Sequence, residues 1–379
     1  MNITIPKQKM LKYLSYTDTI ASSKTTVPVL SNVLIDVSEK NIFFYSSNLE
    51  TGIKVSDTVK TDEDGSLAVN GKKLLSIVRE LPDDDIRLTT DDKNRLTVRS
   101  ESKAINAEFT IAGVSKEDFP KINTEPEEEY IQLNPAPFKE MIRKVIFSVS
   151  SDENKYSLTG IFLEKNNGDI SMVGTDGKRL SLVSRKQKDL EIPKDTFYVP
   201  YDGVIIPKIV LNEIVKFSFE EKEKLYLGFS KNQIFFKYDN INLVSNLIEG
   251  KFPDYKKIIP VDREKMFTAD RKFLYNAIKR VSILVEESYN QIKLNISKDK
   301  LLISSQNPTL GGAIEEIPIK YGDEDIEIAL NYIYLIDCLK EIGSDTVKID
   351  FEDSERVLTV CGVDEEGYTN LIMPMKGGI

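Results

Sequence analysis

The feature that most constrains this chain is a proline-marked junction that occurs twice. Phe252-Pro253-Asp254-Tyr255-Lys256-Lys257-Ile258-Ile259-Pro260 has a shorter counterpart at Phe119-Pro120-Lys121-Ile122, 133 residues earlier, and the two divide 379 residues into nearly equal thirds. Proline lacks an amide donor and biases the residue before it to extended geometry, so a Phe-Pro step after a strand ends a sheet and leaves a domain. A chain cut this way is expected to repeat one folding unit three times.

The helical patterns agree with that expectation. Residues 1–124 open on a strand, Asn2-Ile3-Thr4-Ile5, followed by a helix from Pro6 that carries Met10, Leu11 and Leu14. Val27 to Val37 and Asn41 to Tyr45 are rich in β-branched and aromatic residues and read as strands. Past the strand Leu67-Ala68-Val69, a second helix runs from Gly71 to Leu81 on Leu74, Leu75 and Val78, and Pro82 stops it. Residues 125–256 replay the plan after an acidic linker, Glu125-Pro126-Glu127-Glu128-Glu129. Asn134 and Pro135 open a helix on Phe138, Met141, Ile142, Val145 and Val149, and Pro207 to Phe217 is the second helix. Leu158 to Leu163, Ile170 to Val173 and Gln233 to Tyr238 read as strands. Residues 257–379 repeat it again, with helices from Asp270 to Leu284 and Asn331 to Ile342. Two helices among roughly eight short strands per third is an α+β plan, helices covering one face of antiparallel sheets.

Composition excludes several chemistries. The chain has no histidine, which removes every Ser-His or Cys-His pair and every His-ligated metal. Cys338 and Cys361 fall inside apolar patterns and are expected to be reduced core residues. No apolar run is long enough for a membrane span, and the first residues lack the regions of a signal peptide, so a cytoplasmic location is expected. No cofactor and no metal are expected. Two acidic runs, Asp83-Asp84-Asp85 and Asp62-Glu63-Asp64, would be the seat of a magnesium-dependent hydrolase. Without a phosphate loop or a histidine base they read as solvated turns.

The net charge of −10 argues against nucleic acid as a partner, yet its distribution argues the other way. The six helical segments together carry +9, which leaves −19 on the sheets and loops. Lysines are good helix formers, and one reading is that they merely solvate outer helical faces. The other is that repeated domains turn their helices toward a polyanion, with Lys139, Arg143, Arg271, Lys272, Lys279 and Arg280 attracting phosphates without reading bases.

Six ordered motifs carry a resemblance that spans the whole chain. Thr26-Val27-Pro28-Val29-Leu30-Ser31-Asn32-Val33-Leu34, Lys72-Lys73-Leu74-Leu75-Ser76-Ile77-Val78, Leu158-Thr159-Gly160, Thr175-Asp176-Gly177-Lys178-Arg179-Leu180, Leu247 to Tyr255 and Met373-Pro374-Met375-Lys376 resemble the bacterial sliding clamps, the β subunits of DNA polymerase III. The resemblance implies a non-enzymatic processivity factor with three clamp domains, 1–124, 125–256 and 257–379. It implies a head-to-tail homodimeric ring around duplex DNA, bound without sequence preference. Helices of about 12 to 16 residues would be roughly 18 to 24 Å long and span several phosphates each.

The same resemblance implies a pocket where the polymerase III catalytic subunit, the clamp loader and other proteins bearing the clamp-binding motif insert a short peptide. Its wall would take Leu158, Thr175, Gly177, Lys178, Arg179 and Leu180 from the middle domain. Pro253, Lys257 and Ile258 would come from the junction, Asn331 and Tyr334 from the last helix, and Ile372, Met373, Pro374 and Met375 from the tail. Leucine, proline and methionine suit an adaptable apolar trough. Lys178 and Lys257 stand where family members often have histidine and arginine, and the chain ends Gly377-Gly378-Ile379, differences that bear on peptide preference. The resemblance further implies phosphate contacts by Lys24, Lys73, Lys155 and Lys208, and a dimer contact of Phe109 and Ile111 with Ile283 and Leu284. A peptide-binding repeat scaffold without DNA encirclement is the alternative.

Overall fold

Among the described residues, six helices form where the apolar spacing places them. A computed structural model describes residues 1–21, 27–103, 105–127, 129–193, 196–220, 223–260 and 265–376. Helix α1 is Lys7–Ile20, α2 Gly71–Glu80, α3 Pro135–Ile146, α4 Lys208–Lys216, α5 Arg271–Val281 and α6 Tyr332–Glu341. Each buries one stripe: Met10, Tyr13, Leu14 and Thr17 in α1; Leu74, Leu75 and Val78 in α2; Leu335, Cys338 and Leu339 in α6. Asn70, Asp270 and Asn331 cap α2, α5 and α6, their side chains accepting from the amides of Lys73, Phe273 and Ile333 at 2.9, 2.8 and 2.9 Å. Among the described residues, no helix is long and apolar enough to cross a membrane. Both cysteines are free; burial pushes the Cys338 thiol well above its ordinary value.

Two expected strands begin late. Pro28–Ser31 is a 3-10 turn, and extension starts only at Asn32–Ser38. Proline fixes φ and the Ser31 hydroxyl donates to the Pro28 carbonyl at 2.7 Å, which closes the turn locally. Likewise Glu153–Leu158 is a 3-10 segment capped by Asp152, and the strand is Gly160–Asn166.

The described residues fall into two compact units, Met1–Pro135 with Ile209–Leu247, and Ala136–Lys208 with Ile248–Ile379. The first holds a 13-stranded sheet. Within it Ile241–Asn246, from the middle third of the chain, pairs antiparallel with Thr51–Thr58, from the first third. The second unit holds an eight-stranded and a four-stranded sheet. In the former, Arg179–Lys186 pairs antiparallel with Tyr368–Ile372, joining the middle third to the last. Each join carries one buried polar pair, Thr51 with Ser245 at 3.0 Å and Ser181 with Asn370 at 2.6 Å. A one-residue slip would strand those groups in an apolar interior, so the pairs fix register.

Candidate functional site

The second unit brings the predicted peptide-site residues together. Antiparallel pairing sets Arg179 opposite Ile372 and Leu180 opposite Leu371, and the Met373 amide donates to the Lys178 carbonyl at 2.9 Å. The tail continues to Met375, whose amide donates to the Ala329 carbonyl at 2.8 Å. Beneath lies a core of Val173, Leu180, Ile205, Ile248, Phe252, Tyr255 and Leu371, with Leu158 and Ile259 packed against it. Leu180, Thr175 and Ile372 are therefore floor rather than wall. The open surface belongs to Ile258 and Met373, 51% and 48% exposed, with Pro253, Gly177, Lys178 and Lys257 exposed and Leu158, Pro374, Met375, Asn331 and Tyr334 half-buried.

Local chemistry explains the turn that displays Gly177 and Lys178. Asp176 Oδ1 accepts from the amides of Lys178 and Arg179 at 2.8 and 3.1 Å, and the Gly177 amide donates to Thr175 Oγ1 at 3.1 Å. Gly177 sits at φ +89°, which a side chain disfavours. Gly160 answers a different need: a Cβ there would lie 2.5 Å from the Ile206 carbonyl oxygen.

Arg179 does not project into the site as a free cation. Its guanidinium donates to Asp176 at 3.0 Å, to Asp337 of α6 at 2.6 Å and to the Phe147 carbonyl at 2.5 Å. It also lies 4.5 Å from the Tyr334 ring centroid. It thus ties the turn, the end of α3 and the middle of α6 into one wall. The partners Phe147 and Asp337 carry no sequence signal of that role; only the fold brings them to Arg179.

The helix cations divide into two groups. Lys73, Arg143, Lys272 and Lys279 are exposed, as is Lys155, which donates to the Asp176 carbonyl at 2.9 Å. Arg143 reaches Glu341 at 3.3 Å, and Lys139 is half-buried. Lys208 is half-buried too, and burial, then the nearby Arg179, pulls its ammonium below the usual lysine value. Two arginines expected at the phosphates are committed within the chain. Arg271 donates to the carbonyls of Ser344 and Leu339 at 2.9 and 3.1 Å, closing the C-terminus of α6, and Arg280 pairs with Glu315 at 2.9 Å through Nε. Lys144, counted in the positive charge of α3, is buried against Glu365 and Glu140. Lys24 lies outside the described residues.

Among the strand edges left open in the described residues, one in each unit stands beside exposed apolar side chains. On Glu108–Val114, residues 108–112 pair only with Arg95–Ser100, while Gly113 and Val114 alone reach Gly65–Asn70. Phe109 is 40% exposed there and Ile111 half-buried. In the second unit Gly311–Pro318 pairs only with Lys300–Asn307. Ile283 is exposed after α5 and Leu284 half-buried, and Ile314 and Leu310 are exposed on and beside that edge strand. Ile314 was missed by pattern reading because its strand, flanked by glycines and glutamates, has little apolar alternation.

The acidic runs are only partly turns: Asp62 and Glu63 end the strand Lys60–Glu63, while Asp83 and Asp84 lie in a bend before the strand Asp85–Thr90. Asp62 pairs with Arg87 at 2.8 Å, Asp64 accepts from the Glu39 amide at 2.9 Å and Asp83 from Gln8 at 2.7 Å. Among the described residues, no group of carboxylates or thiols could hold a metal.

Three thirds with two helices each, neighbouring thirds sharing a sheet and bearing exposed helix cations, define a protein of the DNA-clamp class. Profiles of the DNA polymerase III beta subunit match throughout: its N-terminal domain at residues 1–123, its central domain at 132–254 and its C-terminal domain at 256–376. The beta sliding clamp of Pseudomonas aeruginosa is 30% identical over 381 residues, 99% of this chain and 100% of that protein. That of Staphylococcus aureus is 28% identical over 386 residues, 99% of each. Among solved structures, the Caulobacter crescentus clamp superposes with a TM-score of 0.90 at 26% identity, covering 100% of this chain and 99% of that one. The P. aeruginosa clamp bound to griselimycin gives 0.87 at 28% identity, covering both chains fully. The chain belongs to the bacterial beta sliding clamp family, the beta subunits of DNA polymerase III. Its function is that of a DNA polymerase processivity factor, and it is not an enzyme.

Proposed function

We propose that two copies of this chain close head to tail into a ring that encircles duplex DNA, each contributing domains bounded at 1–124, 125–256 and 257–379. The observation that carries this reading is the pair of open strand edges, each beside exposed apolar side chains: Phe109 at one, Ile283 and Ile314 at the other. Joining Phe109 and Ile111 of one copy to Ile283 and Leu284 of the next covers both of these edges, which would otherwise invite aggregation. Lys73, Lys139, Arg143, Lys155, Lys208, Lys272 and Lys279 then meet phosphates, while Arg271 and Arg280 add field rather than direct contact. Lys24 completes the set in this proposal.

The work of such a ring is topological. Weak phosphate contacts permit sliding, and closure prevents escape. The trough between Met373, Ile258, Pro253 and Tyr334 receives the peptide of the polymerase III catalytic subunit, the clamp loader or another protein bearing the clamp-binding motif. The setting is the cytoplasm. The test is retention of the loaded protein on nicked circular DNA. The ring reading expects retention nearly insensitive to moderate salt and prompt release once the circle is cut. Rapid loss from an uncut circle without dimer dissociation contradicts it. Charge neutralisation of Lys73, Lys272 and Lys279 together separates it from a DNA-free scaffold, which would lose nothing in a processivity assay.

A further inference from the structure

Tyr255 and Lys256 stand in the junction motif between Pro253 and Ile258, the first buried and the second exposed. Tyr255 is buried in the core beneath the trough, and its hydroxyl donates to Glu164 Oε1 at 2.7 Å. Glu164 belongs to the strand Gly160–Asn166 and is 7% exposed, an uncommon place for a carboxylate. The Lys256 ammonium closes on the same carboxylate at 2.9 Å. Two residues before Glu164, the Phe162 ring stacks on Phe252 at 4.8 Å with 8° between planes. Burial, reinforced by Glu164, raises Tyr255 far above the usual tyrosine range, so the hydroxyl keeps its proton as a permanent donor.

Besides the burial of the Tyr255 ring, the 3-10 turn Tyr255–Ile258 is held by few polar contacts. The Tyr255 amide donates to Pro253 at 2.8 Å and that of Lys257 to Asp254 at a long 3.3 Å, while the ion pair Lys257 with Asp254 is exposed. We infer that Glu164 is a positioning residue of the peptide site, its carboxylate holding Tyr255 and Lys256 so that Pro253 and Ile258 stand at the height the bound peptide needs. The inference rests on the peptide-site reading and gives a named role to a buried charge on a strand remote in sequence from the site. A buried, paired carboxylate costs stability that a hydrophobic residue would not, which fits retention for geometry.

The test uses the full-length protein and a fluorescein-labelled peptide with Leu and Phe anchors, followed by anisotropy at 25 °C. Tyr255→Phe and Glu164→Leu are expected to weaken binding about fivefold to tenfold, the part of the lost contact with the carboxylate that reaches the peptide. Glu164→Gln, which still accepts from the hydroxyl, is expected within about twofold. Amide exchange at Lys256 to Ile258 should quicken in the first two variants only. A merely structural Glu164 would lower the melting temperature and leave affinity unmoved, and that result overturns the inference. Failure of the unaltered chain to bind, or binding indifferent to Met373→Ala, overturns the peptide-site reading and the inference with it.

Discussion

Replacing Arg179 with alanine tests whether the wall of the peptide site is held by one side chain. The guanidinium is 11% exposed and makes three hydrogen bonds, two of them to carboxylates that are 18% and 30% exposed. Charge-assisted bonds contribute about 1.5–3 kcal/mol each when buried, and partial exposure of Asp176 and Asp337 reduces that. Asp176 retains two backbone donors after the change, so Asp337 and the Phe147 carbonyl bear most of the cost. Loss of the contact with Tyr334 adds roughly 0.5 kcal/mol. The total is about 3 kcal/mol, with Arg179→Lys losing about half of it because an ammonium cannot span three partners. Since the chain has no tryptophan, urea unfolding is followed by far-ultraviolet circular dichroism. Peptide affinity at 25 °C should fall about tenfold as α6 loosens, equivalent to about 1.4 kcal/mol. Destabilisation below about 0.5 kcal/mol with unchanged affinity would refute the reasoning, since surface substitutions give as much.

Further outcomes follow from other buried groups. Glu213 of α4 has no exposed surface, and burial raises its pKa above the ordinary 4.5 despite Lys216 at 2.7 Å. Its folded form holds the proton more tightly than the unfolded chain, so that contribution is full below pH 4.5 and is lost as pH rises through the raised value. Glu213→Gln should therefore flatten the fall in stability as pH rises above 4.5, read from paired melting curves of the two chains. Gly160→Ala should cost about 1–3 kcal/mol, because the new methyl meets the Ile206 carbonyl at 2.5 Å and must push the paired strands apart. A melting temperature equal to that of the unaltered chain would contradict that geometry.

What the sequence made legible was what depends on near neighbours. The six helices follow from apolar spacing, with capping residues at α2, α5 and α6, because burial of one stripe is a local pattern. Pro28 limited that approach: a run of valines and leucines predicts extension, but the proline and the Ser31 hydroxyl close a 3-10 turn first. Pairing of Ile241–Asn246 with Thr51–Thr58 joins residues nearly two hundred positions apart, and no local signal specifies it. Charge counting had a similar limit. Lys144, Arg271 and Arg280 count as positive on a helix, yet their partners Glu365, Leu339 and Glu315 come from elsewhere in the chain and engage each of them within the fold. The peptide site was legible as motifs, but the division of Leu180, Thr175 and Ile372 into floor and Ile258 and Met373 into surface required the fold.

The central claim is that the open edges of Glu108–Val114 and Gly311–Pro318 are filled by a second copy of the same chain. Sedimentation at micromolar protein measures this directly. The expected result is a species of twice the 43.0 kDa chain mass that splits when Ile283 and Ile314 are both replaced by lysine. A strict 43.0 kDa particle for the unaltered chain would contradict it.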